Sequence, residues 1–342
     1  MQSAVLTDLN TIEMRDQERP IPAEHEVLVR IREVGLCGSD VHYWEHGRIG
    51  DFVVEEPLIL GHESAGEVVA LGDAVTDVSI GDRVAIEPGI ACKQCHRCRS
   101  GQYHLCPDMR FMATPPIDGA FRDFVAWDAN FVHRLPPSVS TKAGALCEPL
   151  SVALHACDLG DISPGDAVLI SGAGPIGLIT LEVARASGAS PIVISDIVPS
   201  KLRRARERGA IETIDVRHES ITEISTSVTD GSGFDVVIEA SGAPRAYESV
   251  LPVVTNGGTM VCLGLPNDSR IPLDVVDLAT REISLQGSFR FVNTYQDAIS
   301  LLAEQRVDVT GLIDDTFELT DITAAFERTR EPDVVKVMVS LA

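Results

Sequence analysis

The chain has 342 residues, 44% of them hydrophobic and 23% charged, which at roughly 100 to 200 residues per domain predicts two globular domains and excludes disordered, collagen-like and low-complexity classes. Asp and Glu number 51 against 28 Lys and Arg, a formal charge of -23, so neither nucleic acid nor an anionic membrane is expected as a partner. Only Lys93, Lys142, Lys201 and Lys336 are lysines; a carboxylate-rich, lysine-poor surface resembles that of halophilic proteins, which work where screening acts over about 3 Å.

The start, Met1 to Asp8, lacks a basic segment followed by a long apolar core, and no run reaches about 18 apolar residues, so the expectation is a cytoplasmic protein. Residues 1 to about 150 read as β-rich. In Val27-Leu28-Val29-Arg30-Ile31-Arg32 the apolar positions 27, 29 and 31 alternate with arginines as in a half-buried strand, and Glu67–Ala70 and Arg83–Ile86 are further short runs between glycine turns. From Asp166 the rhythm becomes strand, helix, strand. Ala167–Ile170 leads through a glycine turn into a helix closed by Gly188; then come Ile192–Ile194, a charged helix from about Ser200 to Arg208, and the runs Asp235–Ile238, Met260–Leu263 and Ile283–Leu285. Runs buried on both faces that alternate with helices predict a parallel doubly wound sheet. The last fifty or so residues return to mixed character and end in Val334-Val335-Lys336-Val337-Met338-Val339.

Four of the eight cysteines crowd into Cys92-x-x-Cys95-x-x-Cys98-x7-Cys106, which fits metal ligation in a reducing compartment better than a disulfide framework. Zinc is the expected ion, with Zn–S bonds of about 2.3 Å; four thiolates fill its shell, so this site organises its loop rather than catalyses. An iron–sulfur cluster is the lesser alternative, and a zinc-ribbon nucleic-acid module is disfavoured by the charge. His96 and His104 within the loop read as exposed polar residues.

Gly172-Ala173-Gly174-Pro175-Ile176-Gly177 follows an apolar strand and opens a helix. Gly172 permits a tight turn, Gly174 the approach of a pyrophosphate and Gly177 close packing of helix on sheet, while Pro175 sits where a missing N–H matters little. Asp196 ends the next strand 19 residues after Gly177, the expected distance for the acid that binds the adenosine ribose. Its carboxylate would repel a 2′-phosphate, which favours NAD over NADP. Lys201 reaches toward the same ribose or is a solvated helix charge, and Arg203 and Arg204 leave some NADP use open.

Three shorter motifs remain: Gly35–His42, Gly61-His62-Glu63 and Cys147-Glu148-Pro149-Leu150. Each alone reads as structure, but together they supply a thiolate, an imidazole and carboxylates, the ligand types of a zinc that keeps an open position. The segment Cys37–Gly50, the Gly61-His62-Glu63 box, Ala113–Pro116, Glu148–Val152 and Gly287–Arg290, in this order, resemble the zinc-containing medium-chain alcohol dehydrogenases, and most closely their sorbitol or polyol branch, over nearly the whole chain.

The resemblance implies an α/β fold: a β-rich GroES-like catalytic domain (1–150 and 286–342) with an inserted Rossmann domain, a doubly wound parallel sheet, for NAD (151–285). It makes Cys37 and His62 ligands of a catalytic zinc, with Glu63 a direct or alternating ligand and Glu148 a ligand either directly or through water; Cys147 is one residue out of register and reads as a packed thiol. Ser39 and His42 match a proton relay. Tyr43, Phe111, Thr114, Glu148 and Arg290 match positions lining a polyol pocket, and Ile176, Leu265 and Phe289 lie near the cofactor. Phe291 stands where sorbitol dehydrogenases usually carry a tyrosine. The implied activity is NAD-linked oxidation of a secondary hydroxyl of a sorbitol- or xylitol-like polyol to a ketose, with one catalytic and one structural zinc per chain, in a homodimer or homotetramer. Other secondary alcohols (threonine, butanediol, an aldose) are the alternative, and a non-catalytic nucleotide-binding relative a remoter one.

Overall fold

A computed structural model describes residues 1–266 and 270–342. The chain divides into two compact units, Met1–Glu148 with Tyr295–Ala342, and Pro149–Thr294.

The first unit is built on a seven-stranded sheet. Its long strand Glu26–Gly35 pairs antiparallel with Glu63–Leu71, Phe124–Asp128 and Lys336–Ser340, so the C-terminal strand, far away in sequence, closes beside the first motif. Val27, Val29 and Ile31 are buried as their alternation predicts. Leu28 is buried as well, next to a register shift against Glu63–Leu71 that breaks the alternation. Within this strand-dominated unit the Cys37 motif is the start of a helix, Gly38–His46. Cys37 is extended at the N-cap, Asp40 at the third position accepts the Cys37 N–H at 3.0 Å, and Gly47 ends the helix in the left-handed region at φ 67°. Trp44 on this helix packs against Phe326 of helix Ile322–Arg328, with ring centroids 5.2 Å apart, and Phe326 meets Phe121 edge-on at 6.0 Å. All three rings are fully buried.

The second unit is a six-stranded parallel sheet. Its strands Val168–Ser171, Ile192–Asp196, Glu212–Asp215, Phe234–Glu239, Val254–Cys262 and Ser284–Gly287, numbered in chain order, lie side by side as 3-2-1-4-5-6. Val168–Ser171, paired on both sides, is buried throughout, as expected for a doubly wound sheet. The helix Pro175–Ala186 stops at Ser187, and Gly188 follows at φ 93°. The expectation of a run buried on both faces holds at Ile283 but fails at Ser284-Leu285. This strand begins at Ser284 and its four residues are exposed; among the described residues it is an edge bonded only to Val254–Cys262. Among the described residues no helix is long and apolar enough to cross a membrane.

Phe326→Ala removes the ring that joins Trp44 to Phe121 at a fully buried position. It is expected to destabilise the first unit by about 3–5 kcal/mol, measured by guanidinium denaturation; a loss below about 1 kcal/mol, the size of a surface change, contradicts this packing role.

Candidate functional site

Asp40 is 1% exposed and joins two of the short motifs. Its Oδ2 accepts the Cys37 N–H at 3.0 Å, its Oδ1 accepts the Gly61 N–H at 2.9 Å, and the same Oδ1 lies 3.5 Å from His62 Nδ1. The turn before the helix is thereby tied to the start of strand Glu63–Leu71. Burial alone would lower the His62 pKa; the charges and hydrogen bonds of Asp40 and Cys37 outweigh it and raise the imidazole well above its ordinary value. The Phe111 ring stands 5.8 Å from the imidazole.

Glu63, next along, is also 1% exposed. Its Oε1 accepts from Lys336 Nζ at 2.6 Å, and Lys336 forms an ion pair with Oε2 as well. Glu148, in the first turn of helix Cys147–Leu159, is buried too, but no hydrogen bond or ion pair engages its carboxylate among the described residues. Burial pushes its pKa up to about 7; Glu63 and Asp40 add to the push, and His62 and Lys336 pull against it. Cys147 is fully buried and its thiol is pushed up to about 12 by burial, as befits packing.

Cys37, Asp40, Glu63 and Glu148 thus gather thiol and carboxylates about one histidine, and Lys336 is the one buried lysine or arginine among the described residues. Asp40 has His62 and two backbone N–H groups and Glu63 has Lys336, but among the described residues Glu148 has no partner, and a buried carboxylate is unfavourable as an anion unless a cation joins it. The donor set of thiol, imidazole and free carboxylate fits zinc. It is not drawn into a closed shell: among the described residues only Cys92, Cys95, Cys98 and Cys106 have ligand atoms that all lie within 4.8 Å of one another.

In that cysteine loop the sulfur separations include 3.4 Å for Cys95–Cys98, 3.9 Å for Cys92–Cys98 and 3.9 Å for Cys95–Cys106. A tetrahedral ion with bonds of about 2.3 Å sets sulfurs about 3.8 Å apart, so these residues fit zinc. Backbone N–H groups of Cys92 and Cys95 point at the sulfurs of Cys106 and Cys92, at 3.4 and 3.3 Å. The N–H groups of Gln94 and Cys95 lower the Cys92 thiol to about 7, whereas burial raises Cys98 to about 12. His96 is exposed as expected, but His104 is buried: the 3-10 turn Tyr103–Leu105 folds it inward.

In the second unit the three glycines of the turn differ in what constrains them. Gly172 has φ 104°, and a Cβ there would lie 2.9 Å from the Ser241 nitrogen. At Gly177 a Cβ would stand 1.8 Å from the Gly172 carbonyl, so the helix is seated on the turn; at Gly174, the N-cap, a Cβ would meet nothing within 4 Å. The backbone at Gly174 and the following N-terminus, with Pro175 in the first position, therefore face open space, which fits a dinucleotide phosphate. Asp196 Oδ2 accepts the Ala173 N–H at 2.6 Å and Oδ1 the Val198 N–H at 2.8 Å, anchoring the turn from the next strand. Ile176 and Lys201 are half-buried, and Leu265 and Phe289 exposed. Arg290 has φ 58° and its guanidinium stands 4.6 Å from the Phe289 ring centre, while Phe291 is buried.

Ser39 and His42 stand three residues apart on helix Gly38–His46, both half-buried, and Tyr43 is buried beside them in sequence. Thr114 lies in a turn in which its N–H reaches the Phe111 carbonyl at 3.1 Å. Two residues escaped the sequence reading. Asp40 had a signal, its place three residues after an N-cap; Lys336 had another, a lysine set among valines in a chain with four lysines.

Gly177→Ala should displace the helix from the turn and weaken dinucleotide binding by about tenfold or more, about 1.4 kcal/mol, read by NADH fluorescence titration with metal content unchanged. Native affinity in this variant would contradict the seating of the helix.

Two family descriptions match the chain, the alcohol dehydrogenase GroES-like domain over residues 23–137 and the zinc-binding dehydrogenase over 175–304. Sorbitol dehydrogenase of Bacillus subtilis (strain 168) is 42% identical over 99% of this chain and 97% of its own, and D-xylulose reductase A of Aspergillus niger 40% over 99% and 96%. A crystal structure of an oxidoreductase/dehydrogenase of unknown specificity from Escherichia coli superposes with a TM-score of 0.95 at 34% identity, covering 100% of this chain and 99% of that one. With a β-rich unit and a 3-2-1-4-5-6 parallel sheet, and with identity of this extent, the chain belongs to the zinc-containing medium-chain alcohol dehydrogenase family, on its polyol dehydrogenase branch.

Proposed function

We propose that this protein oxidises a secondary hydroxyl of a sorbitol- or xylitol-like polyol to the ketose with NAD. The observation that carries the reading is the buried donor set around His62, with the carboxylate of Glu148 left without a partner among the described residues; the sorbitol dehydrogenase and D-xylulose reductase relatives support the substrate class. The unit Met1–Glu148 with Tyr295–Ala342 would carry two zinc ions and Pro149–Thr294 the dinucleotide.

When bound, zinc supplies the Lewis acid that acidifies the hydroxyl and NAD the acceptor for the hydride. Cys37, His62 and a carboxylate of Glu148 or Glu63 hold the metal. Asp40 fixes the imidazole through Nδ1, which leaves Nε2 to ligate. Ser39 takes the substrate proton and His42, one helical turn on, passes it to solvent. Tyr43, Phe111 and Thr114 wall the polyol, while Glu148 and Arg290 offer partners to its neighbouring hydroxyls and so disfavour alcohols that lack them. Gly172, Gly174, Pro175, Ile176 and Gly177 receive the pyrophosphate, Asp196 and Lys201 the adenosine ribose, and Leu265 and Phe289 line the cofactor; the Asp196 carboxylate selects against a 2′-phosphate.

Three finer points belong to the same reading. All eight cysteines are free, which supports a reducing, cytoplasmic setting. The exposed edge Ser284–Gly287, with Leu285 uncovered, supports a homo-oligomer. The charge of -23 supports work in concentrated salt.

Cys37→Ser and His62→Ala should each lower polyol-dependent NADH formation by at least about a hundredfold and remove about one zinc of two, measured by absorbance and metal analysis on one sample. Full turnover in either variant would refute the ligand assignment. The thermal midpoint should rise steadily between dilute buffer and molar potassium chloride; a midpoint insensitive to salt would speak against the halophilic reading.

A further inference from the structure

Lys336 is 3% exposed and sits at the head of strand Lys336–Ser340, between Val335 and Val337. A side chain that only filled space there would be aliphatic, because an ammonium loses its hydration on burial. Its Nζ instead donates to the Leu36 carbonyl at 2.8 Å, one residue before Cys37, and to Glu63 Oε1 at 2.6 Å, one residue after His62. The space above Gly35 is reserved for this pair: a Cβ on Gly35 would fall 2.0 Å from Glu63 Oε2 and 3.1 Å from Lys336 Cε. One carboxylate beside His62 is therefore held by a cation, while Glu148 has no such partner.

We propose that Lys336 is a positioning residue that holds Glu63 by its charge and so limits how strongly this carboxylate engages the catalytic metal, an inference that rests on the ligand set given above. With Lys336 in place, part of the Glu63 charge is spent on the ammonium, and room is kept for the oxygen of the reactant. Without Lys336, Glu63 turns its full charge to the metal, binds it harder and occupies the position the substrate needs.

The test uses the zinc-loaded protein and follows zinc release to a chromogenic chelator. The catalytic phase of release is identified as the one that Cys37→Ser removes. Lys336→Met should slow this phase several-fold while lowering polyol turnover by about 10- to 100-fold, and Lys336→Arg should keep both near native. In Glu63→Gln there is no charge left to hold, so Glu63→Gln and the double variant Lys336→Met/Glu63→Gln should release zinc at the same rate. If Lys336→Met does not fold, this last comparison decides alone. Unchanged or faster release in folded Lys336→Met, or a difference between Glu63→Gln and the double variant, overturns the proposal. Failure of Cys37→Ser to remove a phase overturns instead the ligand set on which it rests.

Discussion

A buried carboxylate usually has to be justified by the groups that share its charge, and Asp40 is justified three times. It takes the N–H of Cys37, the N–H of Gly61 and the approach of His62 Nδ1, so one side chain with almost no exposure fixes both motifs that flank it. The helix Gly38–His46 begins where it does because Asp40 caps it, and the imidazole keeps its orientation because the same oxygens are already committed to the backbone. The half-buried pair Ser39 and His42 is carried on that helix. The geometry of the candidate centre therefore depends on a capping interaction, which is local in sequence, and on a contact between the helix and the turn before strand Glu63–Leu71, which is not.

The glycine turn of the second unit is fixed by the same kind of economy. Asp196, singled out from spacing as a ribose ligand, accepts backbone N–H groups of Ala173 and Val198. Each carboxylate oxygen retains acceptor capacity after one such bond, so anchoring the turn and receiving a ribose hydroxyl are compatible. The distance of 19 residues between Gly177 and Asp196 is then more than a fingerprint: the strand that delivers the acid also holds the turn in shape.

Much of this was legible in the sequence because it rests on local rules. The parallel sheet followed from apolar runs and intervening helices, the cysteine loop from its spacing, and the glycine turn from three glycines with different steric needs. What escaped depends on contacts between distant positions. Lys336 meets Glu63 from 273 residues away, and nothing in either neighbourhood names the other. The buried reading of Ser284 and Leu285 failed, although Ile283 before them is buried, because periodicity reports apolar content but not whether a strand has a neighbour on each side. His104 was misread because a polar residue in a short loop resembles a surface residue until a 3-10 turn folds it in.

The cysteine loop is not an isolated appendage of the first unit. Tyr103 donates to Glu87 Oε1 at 2.7 Å, Glu87 Oε2 meets His133 Nε2 at 2.9 Å, and the His133 ring stacks on Tyr295 at 4.8 Å. Tyr295 in turn donates to the Ile86 carbonyl at 2.9 Å, and its phenol is raised well above its ordinary pKa, first by burial and then by Glu148 and Glu87. A line of buried and half-buried polar groups thus runs from the cysteine loop to Tyr295, whose phenol feels the charge of Glu148. Such a network is strong only when every member is satisfied. Disorder in the loop would withdraw Tyr103 from Glu87 and leave a buried acceptor short of a donor. The Glu87–His133 pair on which Tyr295 stacks would then lose its support, which gives a metal that performs no chemistry a physical reason to be kept.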